Sequence, residues 1–200
     1  HDIEGDDHPR PWKYTRVKVL WDEEALYVGT ELKVDTIWAT VMNRDELIFS
    51  DKVRYICEHE CNHYGKSWAC PPATGEVDAC KKRCDAYANC LLIGTIAEVR
   101  DIADIAETLA TRPAHEAITN QVRDLMREQG VQPYILSTEA CAVCERCAWL
   151  DGEPCRHPER MHPCLESHGI NIIPTLEENG LEFQYGENVI TWYSLLFFNE

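Results

Sequence analysis

The order of apolar and polar residues predicts short β-strands at the start of the chain. Residues 15–21 alternate between the two classes, acidic residues 22–24 interrupt the alternation, and residues 25–34 resume it, which is typical of a two-stranded hairpin. Apolar stretches at 37–41 and 47–49 continue the strand pattern. We therefore expect residues 1–51 to form a partial antiparallel β-sheet fragment.

After residue 51 the pattern predicts helices and strands in alternation. A charged helix is expected from Gly75 to about Asn89, with acidic residues in its first turn, and a second helix over 115–129, where apolar residues recur at helical spacing. A third helix is predicted over about 158–167, and strands over 90–96, 134–137, 170–174, 181–185 and 189–198. This order predicts an α/β (α+β) fold for residues 52–200, a mixed α/β sandwich with Cys-rich metal-binding loops at one edge.

The charge balance excludes two classes of partner. The chain has 35 Asp and Glu against 19 Lys and Arg, a formal net charge of −16, so neither nucleic acid nor an anionic membrane surface is an expected partner. No apolar run reaches the roughly 18 residues that a membrane span needs.

Motifs of nucleotide-binding proteins and hydrolases are missing, and no catalytic residue is identified. Glu166 and His168 are interpreted as solvated side chains rather than as an acid–base pair.

Cysteine content changes the picture more than charge does. The chain contains 11 cysteines, and all of them lie between Cys57 and Cys164. An odd count in a chain long enough to bury a core argues against a disulfide framework, which is the less favoured alternative. No secretory leader pattern is visible. These features indicate a reduced, cytoplasmic, cysteine-rich metalloprotein.

Four cysteines in the second half of the chain follow a metal-binding spacing. A C-x2-C turn lets two sulfurs reach the same metal group, and three cysteines at this spacing match the start of the bacterial ferredoxin pattern. The spacing favours an iron–sulfur cluster of the 4Fe–4S type, with structural zinc as the alternative. The run is Cys141-x2-Cys144-x2-Cys147-x7-Cys155. Three arginines that flank it, Arg146, Arg156 and Arg160, are expected to offset thiolate charge.

An earlier group of cysteines, Cys57-x3-Cys61-x8-Cys70, supplies three further candidate metal ligands. Either a fourth ligand comes from elsewhere in the sequence, or the position stays open to water or substrate, as it does in catalytic metal sites. The candidates for a fourth ligand are His59, His63, Cys80, Cys84 and Cys90.

Long motifs in this part of the chain resemble a known family. The words CEHECNHYGKSWACPP, CAVCERCAWLDGEPCRHPE, LESHGINI and ENVITWYSLLFF resemble the predicted metal-binding proteins grouped as domain of unknown function 2284, over about residues 53–198. The resemblance implies no reaction. Cys164 stands where the family motif has Ser, so it is an extra thiol whose role as a ligand the resemblance does not imply. The family implies metal-type roles for Cys57, Cys61, Cys70, Cys141, Cys144, Cys147 and Cys155.

The first 51 residues carry a different resemblance. The words HDIEGDDHPRPW, TRVKVLWDEEALYVGTEL and IWATVMNRDELIFSD resemble the opening strands of a family 9 carbohydrate-binding module. This resemblance implies part of a β-sandwich, interpreted as a structural remnant or as a hairpin that docks on the following domain. A sugar site with Trp21 or Trp38 as a stacking platform is the less favoured interpretation.

Three functional hypotheses follow. The first is an iron–sulfur protein with an electron-transfer or redox accessory role, served by a redox partner protein. The second is a zinc-stabilised binding module in which the metal only folds the loops. The third, which depends on residues 1–51 alone, is a carbohydrate-binding protein.

Overall fold

The computed structural model describes residues 18–21, 26–29 and 36–199. Two short strands, β1 (Lys18–Trp21) and β2 (Leu26–Gly29), pair antiparallel, as the alternating sequence predicts. The remainder of the predicted hairpin, at 15–17, 22–25 and 30–34, lies outside the described residues.

The main sheet has four strands in the order β3, β4, β6, β5, and every neighbouring pair is antiparallel. They are β3 (Thr36–Asn43), β4 (Asn89–Glu98), β5 (Tyr134–Leu136) and β6 (Val189–Phe198). Strand β3 precedes the predicted domain boundary at residue 51, yet it pairs with β4 along its whole length, so the sheet extends across that boundary. The combination of this sheet with helices confirms the mixed α/β class.

Helix α3 (Ile105–Glu128) covers one face of the sheet. Its buried apolar residues meet alternate residues of β4 and β6, because successive side chains of a strand point to opposite faces. The other face is covered by α2 (Val77–Cys84), α4 (Ile172–Glu178) and the intervening loops. The segment that leads to Cys141 is contacted by Arg112 of α3. On the α3 face the core residues are Leu91, Ile93, Ile118, Val122, Met126, Ile135, Leu196 and Phe198.

One helix has no counterpart among the predicted elements. Helix α1 (Asp51–His59) begins after Ser50, whose side chain accepts a hydrogen bond from the Lys52 amide and so satisfies one of the free N–H groups of the first turn. It carries Cys57 near its end. Helix α1 therefore determines where the first cysteine group begins.

Several predicted elements are wrong. The strand predicted at 47–49 is reduced to a single bridge from Phe49 to Ile170, and no strand forms at 181–185. The residues predicted as a strand at 170–174 begin α4 instead, since Pro174 lies in its first turn, where a missing N–H costs nothing. No α-helix forms at 158–167, because Pro163 interrupts it and offers its carbonyl to the Ser137 amide at 2.8 Å.

A buried polar network links α3 to the sheet and to the loop after β5. The ring nitrogens of His115 lie 2.9 Å from Thr95 Oγ1 and 2.6 Å from Ser194 Oγ. Ser194 Oγ in turn lies 2.9 Å from Ser137 Oγ, which donates to the Glu116 carboxylate at 2.8 Å. Ser137 follows β5 directly, so the network fixes the start of the segment that leads to Cys141.

Candidate metal centre

One small cavity is lined by the three cysteines of the C-x2-C-x2-C run and by Cys155. Cys141, Cys144, Cys147 and Cys155 are each half-buried, and the apolar side chains of the cavity wall belong to Val143, Ala148 and Met161. None of the 11 cysteines is paired in a disulfide. The structure thus brings together the four residues that the spacing groups; we call this arrangement site II.

Two arginine side chains donate hydrogen bonds to backbone carbonyls at the loop of site II. Arg112 Nη2 donates to the Ala140 carbonyl at 2.7 Å, directly before Cys141. Arg156 lines the cavity, and its Nη1 donates to the Arg146 carbonyl at 2.9 Å, across the loop. Of the three arginines expected to offset thiolate charge, Arg156 lies at the cavity. Arg146 instead forms an ion pair with Asp151 at 2.7 Å, and Arg160 lines a neighbouring pocket with Cys141.

The thiols of site II lie close enough to affect one another's ionisation. Burial raises the pKa of Cys141, and the charges of Cys155, Cys147 and Cys144 raise it further, while a backbone hydrogen bond from Val143 lowers it. Four thiolates around one cavity repel each other in the absence of a cation. A positively charged metal group at this position removes that repulsion.

The first cysteine group lines a second, larger cavity. Cys57 and Cys70 are buried at its floor, and Cys61 is exposed beside them. Burial raises the pKa of Cys57 to about 12; the charges of Glu166, Cys61 and Cys70 also raise it, whereas Arg54 lowers it. Glu166 lines the same cavity and is exposed, as its interpretation as a solvated side chain predicts; desolvation by the neighbouring protein raises its pKa.

A fourth cysteine lies in the same cavity. Cys164 is buried, and its pKa is raised by burial first and then by the charges of Glu166, Cys70 and Cys57. Nothing in the sequence spacing indicates this, since Cys164 is separated from Cys70 by more than ninety positions. We call the arrangement of Cys57, Cys61, Cys70 and Cys164 site I.

Of the five residues considered as a fourth ligand, one lies at the cavity. His63 is exposed and lines it. His59 is directed away, with Nδ1 2.9 Å from the Tyr55 carbonyl oxygen and its ring stacked on that of Tyr55. Cys84 and Cys90 belong to the apolar core, and Cys80 is bound by Arg83 Nη2 at 3.0 Å.

The loops of the two sites are joined by a reciprocal pair of tryptophans. Trp68, from the first loop, donates its indole N–H to the Glu153 carbonyl of the second loop at 3.0 Å. Trp149, from the second loop, donates to the Gly65 carbonyl of the first at 2.9 Å. The two rings meet edge to face with centroids 4.8 Å apart. The sites are consequently neighbours: burial raises the pKa of Cys70, and the charges of Cys61 and Cys141, one from each site, raise it further.

In the part of the chain that the structure describes, no three His, Cys, Asp or Glu side chains are arranged to hold a single metal ion. Thiols are the dominant donors of both sites, and soft sulfur ligands suit iron–sulfur clusters and zinc.

A comparison with protein-family models matches residues 40–198 to the family described as predicted metal-binding protein (DUF2284). The chain belongs to this family. The matched DUF2284 region starts within β3 and contains all eight cysteines of sites I and II. Metal binding is therefore the function that the family description assigns. No curated protein and no solved structure matches the chain.

The resemblance of residues 1–51 to a carbohydrate-binding module finds no support in these comparisons. Trp38, one of the two proposed sugar platforms, packs over Gly94 of β4, with its ring centroid 6.0 Å from that of Tyr193. It therefore has a packing role. The side chain of Trp21 lies outside the described residues.

Two further sequence interpretations can be compared with the structure. His168 is fully buried, with Nε2 2.6 Å from the hydroxyl of Tyr134, so its interpretation as a solvated side chain is wrong. Among the described residues, no helix combines the length and apolar character that crossing a membrane requires.

Proposed function

We propose that this protein is an iron–sulfur protein that accepts and donates electrons, with a 4Fe–4S cluster bound by Cys141, Cys144, Cys147 and Cys155. The observation that carries the proposal is the shared cavity of these four cysteines. Three of them come from one C-x2-C-x2-C run, the arrangement by which ferredoxin-type loops present thiolates to adjacent corners of a cluster.

The arrangement of the sulfurs favours a cluster over zinc. A structural zinc ion needs four ligands converging tetrahedrally at about 2.3 Å from one centre. A cubane cluster instead takes each thiolate at a different iron, so its ligand sulfurs are spread around a volume. Three cysteines within seven residues, lining one cavity together with Cys155, favour the second case.

The residues around site II are suited to tune a cluster. A bound cluster supplies one-electron transfer. Val143, Ala148 and Met161 limit water access, and Arg156 places a positive charge at the wall of the cavity. A nearby cation stabilises the more negative, reduced state, so Arg156 raises the reduction potential.

The proposal includes a reducing compartment and a partner. Eleven free cysteines are compatible with the cytoplasm, where thiols stay reduced. A cluster that only stores an electron needs a second redox protein to deliver and remove it. We therefore expect a redox partner protein.

Anaerobic purification followed by iron, zinc and acid-labile sulfide analysis tests the proposal. We expect brown protein that contains iron and sulfide and whose visible absorbance bleaches on reduction. Colourless protein with stoichiometric zinc and no sulfide would contradict it. The Cys144→Ala variant should lose the signal of site II, whereas Cys90→Ala, which removes a buried core thiol outside both cavities, should keep it.

A further inference from the structure

We propose that Cys164 is the fourth ligand of a second metal site, completed by Cys57, Cys61 and Cys70. The inference rests on the proposed function in one respect, the iron–sulfur nature of the bound group. It assigns a role to the cysteine that neither the spacing nor the family motif includes.

The four cysteines of site I share one cavity. They line it although they come from α1, the loop after it and a turn far along the chain. The donor set is again four thiols, as at site II.

Cys164 is held in place by a bridge to the segment that follows β5. Ser137 and Cys164 form a parallel bridge, with the Ser137 amide donating to the Pro163 carbonyl at 2.8 Å and the Leu165 amide donating to the Ser137 carbonyl at 3.2 Å. Ser137 is itself fixed by the buried network under α3. The position of Cys164 is thus determined by the sheet rather than by a mobile loop.

Helix α1 is fixed to the same turn. Arg54 lies one helical turn before Cys57, and its Nη1 donates to the Ser167 carbonyl at 2.7 Å. The same guanidinium donates through Nη2 to the Gly75 carbonyl at 2.7 Å. A single buried side chain therefore holds the helix of Cys57 against the turn of Cys164.

Backbone amides are directed at two of the four sulfurs. The Ser167 amide donates to Cys164 Sγ at 3.3 Å, and the His63 amide donates to Cys61 Sγ at 3.4 Å. Amide hydrogen bonds to cysteine sulfur stabilise the thiolate form that binds metal, and they are among the factors that set cluster potentials. Ser167 belongs to a short 3-10 helix (Glu166–His168) and His63 to a turn, and both sulfurs that accept these bonds line the shared cavity.

The decisive experiment uses a protein in which site II has been removed. In Cys144→Ala protein, purified anaerobically, the remaining iron and sulfide belong to site I. Adding Cys164→Ala should then remove at least one iron per chain and change the electron paramagnetic resonance spectrum. Adding Cys90→Ala should change neither, since that buried thiol lies outside the cavity. Far-ultraviolet circular dichroism establishes that each variant is folded.

Each outcome bears on the inference. Unchanged iron, sulfide and spectrum in the Cys164→Ala protein would overturn it. If His63→Ala causes the loss instead, the fourth ligand is His63 and the inference is wrong. If the wild-type protein contains zinc without sulfide, the redox proposal fails. The Cys164 assignment is then tested separately by whether Cys164→Ala lowers the zinc count while Cys90→Ala does not.

Discussion

The indole of Trp38 occupies the space over Gly94, the residue directly opposite it on the neighbouring strand. A Cβ atom at Gly94 would lie 2.3 Å from Trp38 Cε2 and 2.5 Å from Cζ2. Because contacts under 3.0 Å between such atoms are essentially never seen, Gly94 is required for the indole to lie flat against the sheet. The same indole meets Tyr193 edge to face, at a centroid distance of 6.0 Å.

Replacing Gly94 with Ala should therefore destabilise the protein. The new methyl group must displace Trp38, and overpacking of this kind costs about 1–3 kcal/mol in the free energy of unfolding. Urea unfolding followed by circular dichroism measures the change. In a Trp38→Ala background the same Gly94→Ala change should cost close to nothing, because the obstructing ring is gone. Equal costs in both backgrounds would contradict the proposed contact.

The sheet shows where sequence patterns succeed. The segments that form β4 and β6 are mostly apolar and occupy the two central positions of the sheet, where both of their faces are buried. The apolar run at 170–174 looks equally strand-like, yet it forms the start of α4. Short apolar runs do not distinguish a strand from a helix by themselves, and tertiary packing decides between them.

The reciprocal tryptophan contact predicts that the two cysteine loops open together. Trp149→Phe and Trp68→Phe each remove one indole donor, worth about 1 kcal/mol for a typical hydrogen bond. That corresponds to roughly a fivefold increase in the open form of the loops. We expect a chelator to extract metal faster from either variant by about this factor, measured as the decay of visible absorbance.

Two comparisons make this prediction specific. The double variant should release metal roughly thirtyfold faster than wild type, since both hydrogen bonds break in the same opening step and about 1 kcal/mol is lost for each. Trp38→Phe, in the sheet, should lower global stability without changing the rate of metal release. A release rate that follows global stability across all these proteins would show that the loop contact has no special role.

Arg54 is predicted to stabilise both the fold and metal binding at site I. It is 6% exposed, and it supplies the donors to the Ser167 and Gly75 carbonyls. Arg54→Met leaves both carbonyls without this donor and should lower the free energy of unfolding by roughly 3 kcal/mol. It should also lower the amount of metal bound at site I. Arg54→Lys should lose less stability and less metal than Arg54→Met, because the ammonium group can still donate to a carbonyl. It should not match the wild-type protein, because it replaces only part of the guanidinium fork.

The matched control is an arginine on the surface. Arg100 pairs with Glu107 at 2.9 Å, but its side chain is 87% exposed. Arg100→Met should change the free energy of unfolding by less than about 1 kcal/mol and leave the iron content unchanged. Similar losses in the Arg54 and Arg100 variants would mean that the buried contacts are not the cause.

The two sites differ in how far sequence predicts them. Site II comes from a single segment, so the spacing of Cys141, Cys144 and Cys147 already groups its ligands. Site I depends on Cys164, which reaches the cavity through a bridge to Ser137. A pairing of that kind has no local pattern, because it is created when distant segments meet in the folded sheet. His63, in contrast, is close to Cys61 in the sequence and is predicted as a candidate ligand for that reason; it lines the same cavity.

His115 predicts a pH dependence of stability. It is fully buried between α3 and the sheet, and burial lowers its pKa from 6.5 to about 3, with the charge of Arg112 acting in the same direction. Between these two values the unfolded chain binds a proton that the folded chain excludes. Stability therefore rises with pH through this window and becomes level above it, so acidification from pH 7.5 to 5.5 should cost about 1.4 kcal/mol through this group.

The contribution of His115 is isolated by comparing variants at both pH values. His115→Gln still offers hydrogen-bonding atoms to Thr95 and Ser194 but cannot take up a proton. Acidification should therefore lower its free energy of unfolding by about 1.4 kcal/mol less than it lowers that of the wild-type protein. The metal-loaded proteins are unfolded with urea under identical buffer conditions, so that thiol protonation contributes equally to each. Parallel pH profiles for wild type and His115→Gln would show that another group controls the transition.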